Sequence, residues 1–319
     1  MTAWRCALAA LAALFACAAC AAYPDKPIRF VVGLAPGGGV DFTARTIAAK
    51  LAGALGQQVV VDNRAGAGGS IAANIVARSA PDGYTMLLGS RSNFVIDALI
   101  NKNLGYDPRR DLTAVTLATS QSMVLVVHPS VPAKNVAELI ALAKAQPGKL
   151  TYASGGTGTG THLAGEMFAR LAGINIVHVP YKGGSQSMID LISGQINFIF
   201  QSLPTAAPHI KGGRIRALAV TTARRSALLP ELATVAESGL AGFEADNWYG
   251  IAVAAKTPRA LVQKLNAEIV SVLNNAEVKQ ALLNQGLEPA PGTPEAFTAH
   301  IKNDFDKWGK LVADIGLGH

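Results

Sequence analysis

Beyond residue 22 the chain has no cysteine, because Cys6, Cys17 and Cys20 all lie in its opening stretch. That excludes disulfides, thiolate metal sites and cysteine nucleophiles downstream, and it suits an oxidising compartment, where a stray thiol is a liability. Charged residues make up only 15% of the chain and aromatics 6%, while half is hydrophobic, which excludes a disordered or fibrous protein. The formal charge of +7 is scattered. The densest basic group, Arg214, Arg216, Arg224 and Arg225, has no interleaved aromatics and reads as a solvated face, so nucleic acid is not the expected partner. The Gly-x-Ser-x-Gly elbow, His-Glu-x-x-His and the Gly-x-x-x-x-Gly-Lys-Ser/Thr phosphate loop are also missing, and the six histidines show no metal or triad spacing. No cofactor and no metal are expected.

A long hydrophobic run is missing too. Cys6 to Ala22 is apolar after Arg5 but falls short of the roughly 20 residues a membrane span needs. It reads as a secretory signal peptide, residues 1–22, cleaved after Ala22 by the small-x-small pattern through Cys20 and Ala22. Leu14-Phe15-Ala16-Cys17 and Cys17-Ala18-Ala19-Cys20 are alternative readings as a lipoprotein site. A periplasmic location follows from either.

What remains suits two domains, at about 100 to 200 residues each. Ile28 to Val32 reads as a strand, and Ala44, Ile47, Ala48, Leu51 and Leu55 recur on one face of a helix that Gly56 closes. Val59 to Val61, a helix near Ile71 to Ser79, and Tyr84 to Leu88 complete βαβαβ, the pattern of an α/β fold with a parallel sheet. The grammar restarts with Leu150 to Ala153, a helix from about Thr161, strand Ile174 to Val179, a helix around Gln186 to Ile192 and strand Gln195 to Phe200. Leu112 to Thr119 and Met123 to His128 are close enough to form one long connecting strand, and Asn247 to Ala254 is a second crossing. The expected division is 23–122 with 247–319, and 123–246.

Each unit places a glycine loop between strand and helix: Pro36-Gly37-Gly38-Gly39 before a helix that starts near Asp41, and "SGGTGTGTH", Ser154 to His162. The first turn of a helix has N–H groups without intrahelical partners and about half a positive charge from the macrodipole. Glycines bare those groups, and in open α/β sheets ligands sit at the carboxyl ends of strands. Glycines that only serve tight turns are the bland alternative; one loop per domain favours two amide rows gripping one anion across a cleft. Neither loop matches Gly-x-Gly-x-x-Gly, so nucleotide phosphate is not the expected anion.

"YPDKPIR", "APGGGVDFTAR", "NRAGAGGSIAA", "PDGYTMLLGS", "YASGGTGTGTHLAGEMF" and "VPYKGGSQSMIDLISGQINF", in this order, resemble the Bug-type periplasmic solute receptors of tripartite tricarboxylate transporters. The resemblance implies a two-domain Venus-flytrap binding protein, type II-like, with a parallel or mixed sheet in each domain. It implies a receptor, not an enzyme, that delivers a di- or tricarboxylate, an acidic amino acid or an aromatic acid to membrane transporter subunits; a monomer is expected. Carried over by position, the ligand residues are Ala35, Pro36, Gly37, Gly38 and Asp41; Ser154, Gly155, Thr157, Gly158, Thr159 and His162; and Ser90, Tyr181, Lys182 and Gln201. Gly33 and Leu34 stand where that family often has proline and an aromatic residue.

Several of these residues have plainer readings. Asp41 can cap free N–H groups or pair with Arg45 instead of binding a ligand amine. Lys182 is either a counter-charge or a solvated surface residue. Thr157 and Thr159 either donate hydroxyls to a carboxylate or shape their loop. His162 and Glu166, one turn apart, read as a pair on a helix surface. Trp248-Tyr249 packs at the second crossing or walls the cleft. The rival function is a periplasmic hydrolase or isomerase of small organic acids.

Overall fold

The structure, a computed structural model, describes residues 23–317 apart from Ala35, Lys182, Gly183 and Ala227. The expected signal peptide and the expected ligand residues Ala35 and Lys182 therefore lie outside the described residues.

In chain order the main elements are β1 (Ile28–Val32), α1 (Gly39–Leu55), β2 (Val59–Asn63), α2 (Ser70–Ala77), β3 (Thr85–Ser90), α3 (Asp97–Ile100), α4 (Pro108–Asp111), β4 (Leu112–Val127), α5 (Val136–Ala145), β5 (Thr151–Ser154) and α6 (Gly160–Ala172). There follow β6 (Val177–Pro180), α7 (Gly184–Ile192), β7 (Phe198–Ser202), α8 (Leu203–Lys211), β8 (Arg216–Val220), β9 (Asp246–Ala254), α9 (Arg259–Asn274), α10 (Ala276–Leu283), β10 (Glu288–Pro289) and α11 (Pro294–Asp314). A π-helical turn, Ser92–Ile96, leads into α3. The fold is mixed α/β, with strand order β2-β1-β3-β9-β4-β7-β5-β6.

Parallel pairing holds within β2-β1-β3 and within β6-β5-β7, as the two βαβ patterns require, while β9 and β4 run antiparallel to their neighbours. The two apolar runs are one strand of 16 residues. Leu112 to Ser122 pairs with β9; from Met123 to Val127 the same strand pairs with β7 and β8 instead. Strand periodicity explains how it serves both sheets. Met123, Leu125 and Val127 enter one core while Val124 and Val126 enter another, so both faces are covered and the run carries no polar alternation.

Where β4 changes partners, Ser122 lies opposite Asp246, the first residue of β9. Here Arg91, only 2% exposed, hydrogen-bonds the carboxylate and the carbonyl of Asp246 and reaches Asp304 Oδ2 on α11 at 2.6 Å. Trp248 donates its indole N–H to the same Asp304 oxygen at 2.8 Å, and the rings of Trp308 and Trp248 stand 5.0 and 5.8 Å from the guanidinium carbon. Burial alone would raise the Asp246 carboxyl; the Arg91 charge and hydrogen bonds outweigh it and hold the group below the usual carboxylate range. The triad ties β3's end, β9 and α11 together, so α11 packs on the first sheet.

Removing one partner of a buried ion pair leaves an uncompensated charge. Arg91→Met should lose about 3–5 kcal/mol in urea unfolding, whereas Arg225→Met, at an exposed pair with Glu237, should lose under about 1 kcal/mol; equal losses would contradict this account.

Candidate functional site

The two glycine loops follow the carboxyl ends of β1 and β5, as their sequences suggest. The amide bookkeeping differs from expectation. In the first loop Gly37 donates its N–H to Asp41 Oδ2 at 3.0 Å, and Asp41, 4% exposed, also accepts from Arg45 Nε at 3.0 Å and Asn63 Nδ2 at 3.0 Å. Burial would raise this carboxyl, yet the bonds from Arg45, Gly37 and Asn63 together lower it. Capping and ion pairing are thus what Asp41 does here, as its plainer reading has it, with Arg45, Gly37 and Asn63 around its oxygens.

The second loop is satisfied from within to an even greater extent. Gly155 donates to Thr161 Oγ1 at 2.9 Å, Gly156 to Ser154 Oγ at 3.1 Å, Gly158 to His162 Nδ1 at 3.1 Å, and Thr159 N to Gly156 O at 3.2 Å. A row of bare glycine amides is therefore not what the loop presents. The amides of Gly39, Val40 and Asp41 at the start of α1, and of Gly160 and Thr161 at the start of α6, make no hydrogen bond among the described residues, and neither does that of Thr157 in the loop before α6.

His162 locks the second loop. It lies buried, not on a helix surface, stacked on His178 with ring centroids 4.1 Å apart, and its Nε2 stays 3.6 Å from Glu166. Glu166 instead accepts from the Tyr152 hydroxyl at 2.6 Å, and His178 Nε2 meets Ser154 Oγ at 2.7 Å. Burial pushes His162 down to about 4, helped by the charge that a protonated His178 would bring, so Nδ1 is a neutral acceptor for Gly158. This corrects the surface placement of the pair: His162 is buried, and its Nδ1 is occupied by Gly158. Thr159 is also spent inside the loop, donating to Gly156 O at 2.6 Å; Thr157 is exposed and bonds nothing among the described residues.

The remaining candidates split. Ser90 ends β3 opposite Tyr249, its N–H held by Asn93 Oδ1 at 3.0 Å. Tyr249 takes a hydrogen bond from Gln121 Nε2 at 2.8 Å, and its hydroxyl sits where a side chain on Gly39 would go, 2.9 Å from that Cβ position. Burial pushes this phenol up to about 12, so it keeps its proton. Trp248, the next residue, faces the opposite way, against Phe94 and Phe297 at ring distances of 5.6 and 5.5 Å. Gln121 and Tyr249 were missed as a site pair; the alternation of β9, which sends Trp248 and Tyr249 to opposite faces, was the available signal. On the second sheet, Tyr181 bonds Asp190 at 2.6 Å, which leaves its ring tied to α7. Gln201 is buried on β7 opposite Val124.

One contact joins the two sets. Gly158 has φ of +79°, and a Cβ there would stand 2.6 Å from Ile100 Cδ1 on α3 and 3.9 Å from Ile96. The α6 mouth thus packs against the helix that follows β3 and Ser90.

The loop lock sets a pH response. Unfolded His162 titrates near its ordinary 6.5 and the folded group at about 4, so the unfolded chain takes the proton first and stability falls as pH drops from about 6.5 towards 4. The expected loss is up to about 3 kcal/mol. Urea unfolding of the wild type and of His162→Gln at several pH values checks this: the Gln variant should show a flatter acid limb, and an identical limb would absolve His162.

Comparison with known proteins fits this architecture. The family model for the tripartite tricarboxylate transporter family receptor matches residues 43–317. A protein from the tcbD-tcbE intergenic region of Pseudomonas sp. strain P51 is 39% identical, over 92% of this chain and 88% of its own length. Among solved structures, Rpa4515 of R. palustris with adipate superposes with a TM-score of 0.84 at 35% identity, covering 92% of this chain and 98% of that one. MatC from Rhodopseudomonas palustris with bound malate gives 0.80 at 28% identity, covering 91% and 100%. A receptor family, and not the hydrolase or isomerase alternative, accounts for sequence and fold alike: the chain belongs to the receptors of the tripartite tricarboxylate transporter family.

Proposed function

We propose that this receptor is exported to the periplasm by residues 1–22 and captures a small dicarboxylate between two domains, 23–122 with 247–319 and 123–246, for transfer to membrane transporter subunits. The observation that carries the reading is the pair of helix mouths, at α1 and α6, whose first-turn amides have no hydrogen bond among the described residues. One mouth stands at each sheet's carboxyl edge, so each can take one end of a two-ended anion through N–H donors aided by the helix dipole. The Tyr249 hydroxyl, Ser90 and Thr157 supply neutral donors beside them, and Pro36, Gly37, Gly38, Ser154, Gly155 and Gln201 shape the walls. A dicarboxylate is favoured over a monoacid because adipate and malate occupy the two compared structures. β4 and β9, the two crossings, form the hinge, and ligand contact with both mouths supplies the differential affinity that closes it.

A carboxylate panel tests this. Adipate or malate should raise the melting temperature of the mature protein without being altered in mass spectrometry, as mass action on the folded state requires. Conversion of the acid would refute the receptor reading for that ligand. Gly158→Val, strained at φ +79° and aimed at Ile100, should weaken binding at least about tenfold. Gly37→Val, at φ +88° with no atom within 4 Å of its Cβ position, tests backbone strain alone and should weaken it less. Unchanged affinity in both would remove the loops from the site.

A further inference from the structure

Two cavities lie away from the helix mouths, on the outer side of β4 beneath α11. One, of about 370 Å³, is walled by Phe94, Leu112, Ile301 and Phe305, with Arg109 and Asp306 at its edge. The second, of about 500 Å³, is walled by Val262, Pro294 and Ala299, with Arg259 and Glu295 at its edge. Ala114, Thr298 and Lys302 line both, so the two cavities adjoin as one apolar trough with a lysine at the seam. Each volume falls in the usual range for small-molecule pockets, about 300–1,000 Å³.

The charges along the trough select its occupant. Arg109 is spent on Asp107 at 3.2 Å while its guanidinium covers the Phe305 ring at 4.9 Å, and Arg259 meets Glu295 at 3.5 Å. Lys302 and Asp306, one turn apart on α11, make no ion pair among the described residues. Asp306 borders only the first cavity, whereas Lys302 reaches both, so the unpaired cation stands where apolar walls extend to either side. A small dicarboxylate would leave those walls wet. A single carboxylate with a long apolar tail satisfies both features: the head at Lys302, the tail along Ile301 and Phe305 towards Phe94.

We propose that this trough is a second ligand site, for an aliphatic monocarboxylate of medium chain length. It stands independently of the dicarboxylate reading, since it shares no residue with the helix mouths. Trp248 provides the readout, because its ring lies 5.6 Å from that of Phe94. In the mature protein, ω-bromodecanoate should quench indole fluorescence saturably through its bromine, and decanoate should reverse the quenching by competition. Ala114→Phe, which fills the seam, should abolish the quenching; Lys302→Glu should weaken it at least about tenfold. Gly158→Val should leave it intact, as should saturating adipate. Absence of saturable quenching in a wild-type protein that melts cooperatively would overturn the proposal. So would quenching that survives Ala114→Phe in a folded variant, or that adipate or Gly158→Val removes, since the tail would then occupy the space between the helix mouths.

Discussion

The antiparallel pairing of β4 with β9 is the constraint on which the rest depends. β4 belongs to both sheets, and Ser122 opposite Asp246 marks the place where its partners change. An extended ladder fixes spacing and register closely while tolerating twist. Arg91 stiffens that place further, because one guanidinium satisfies carboxylates from β9 and α11 at once. Everything distal to it inherits its position from this junction, including both glycine loops.

Under the proposed reading, the helix mouths would bind an acid through peptide N–H groups and helix dipoles. Beside the first loop, Arg45 is already paired with Asp41. In the second, a neutral imidazole and three hydroxyls, those of Ser154, Thr159 and Thr161, hold the loop in shape. Most glycine amides are consumed in making that shape. In the proposed site an anion would meet the first turn of each helix, held in place by the bonds beneath it, which is preorganisation in place of charge.

Much of this was legible in the sequence, for physical reasons. Period-two and 3.6-residue patterns around Ile28 to Leu55 and Leu150 to Leu171 fix strand, loop and helix locally, and the apolar runs of β4 announce a strand covered on both faces. The spending of loop amides was legible in principle, since hydroxyl and ring acceptors sit two to six residues away: Ser154, Thr161, His162. The Arg91 junction was not, because its partners are 155 and 213 residues distant. Nor was the stacking of His162 on His178, which requires α6 to cross the sheet beside β6; spacing along one helix suggested only Glu166.

The Asp41–Arg45 pair has a consequence for how a solute arrives. A cancelled ion pair and a set of peptide dipoles project a field that decays much faster with distance than that of an isolated cation. If the first mouth binds an acid as proposed, this pair would add little long-range pull to it, and its own contribution would leave little for dissolved ions to screen.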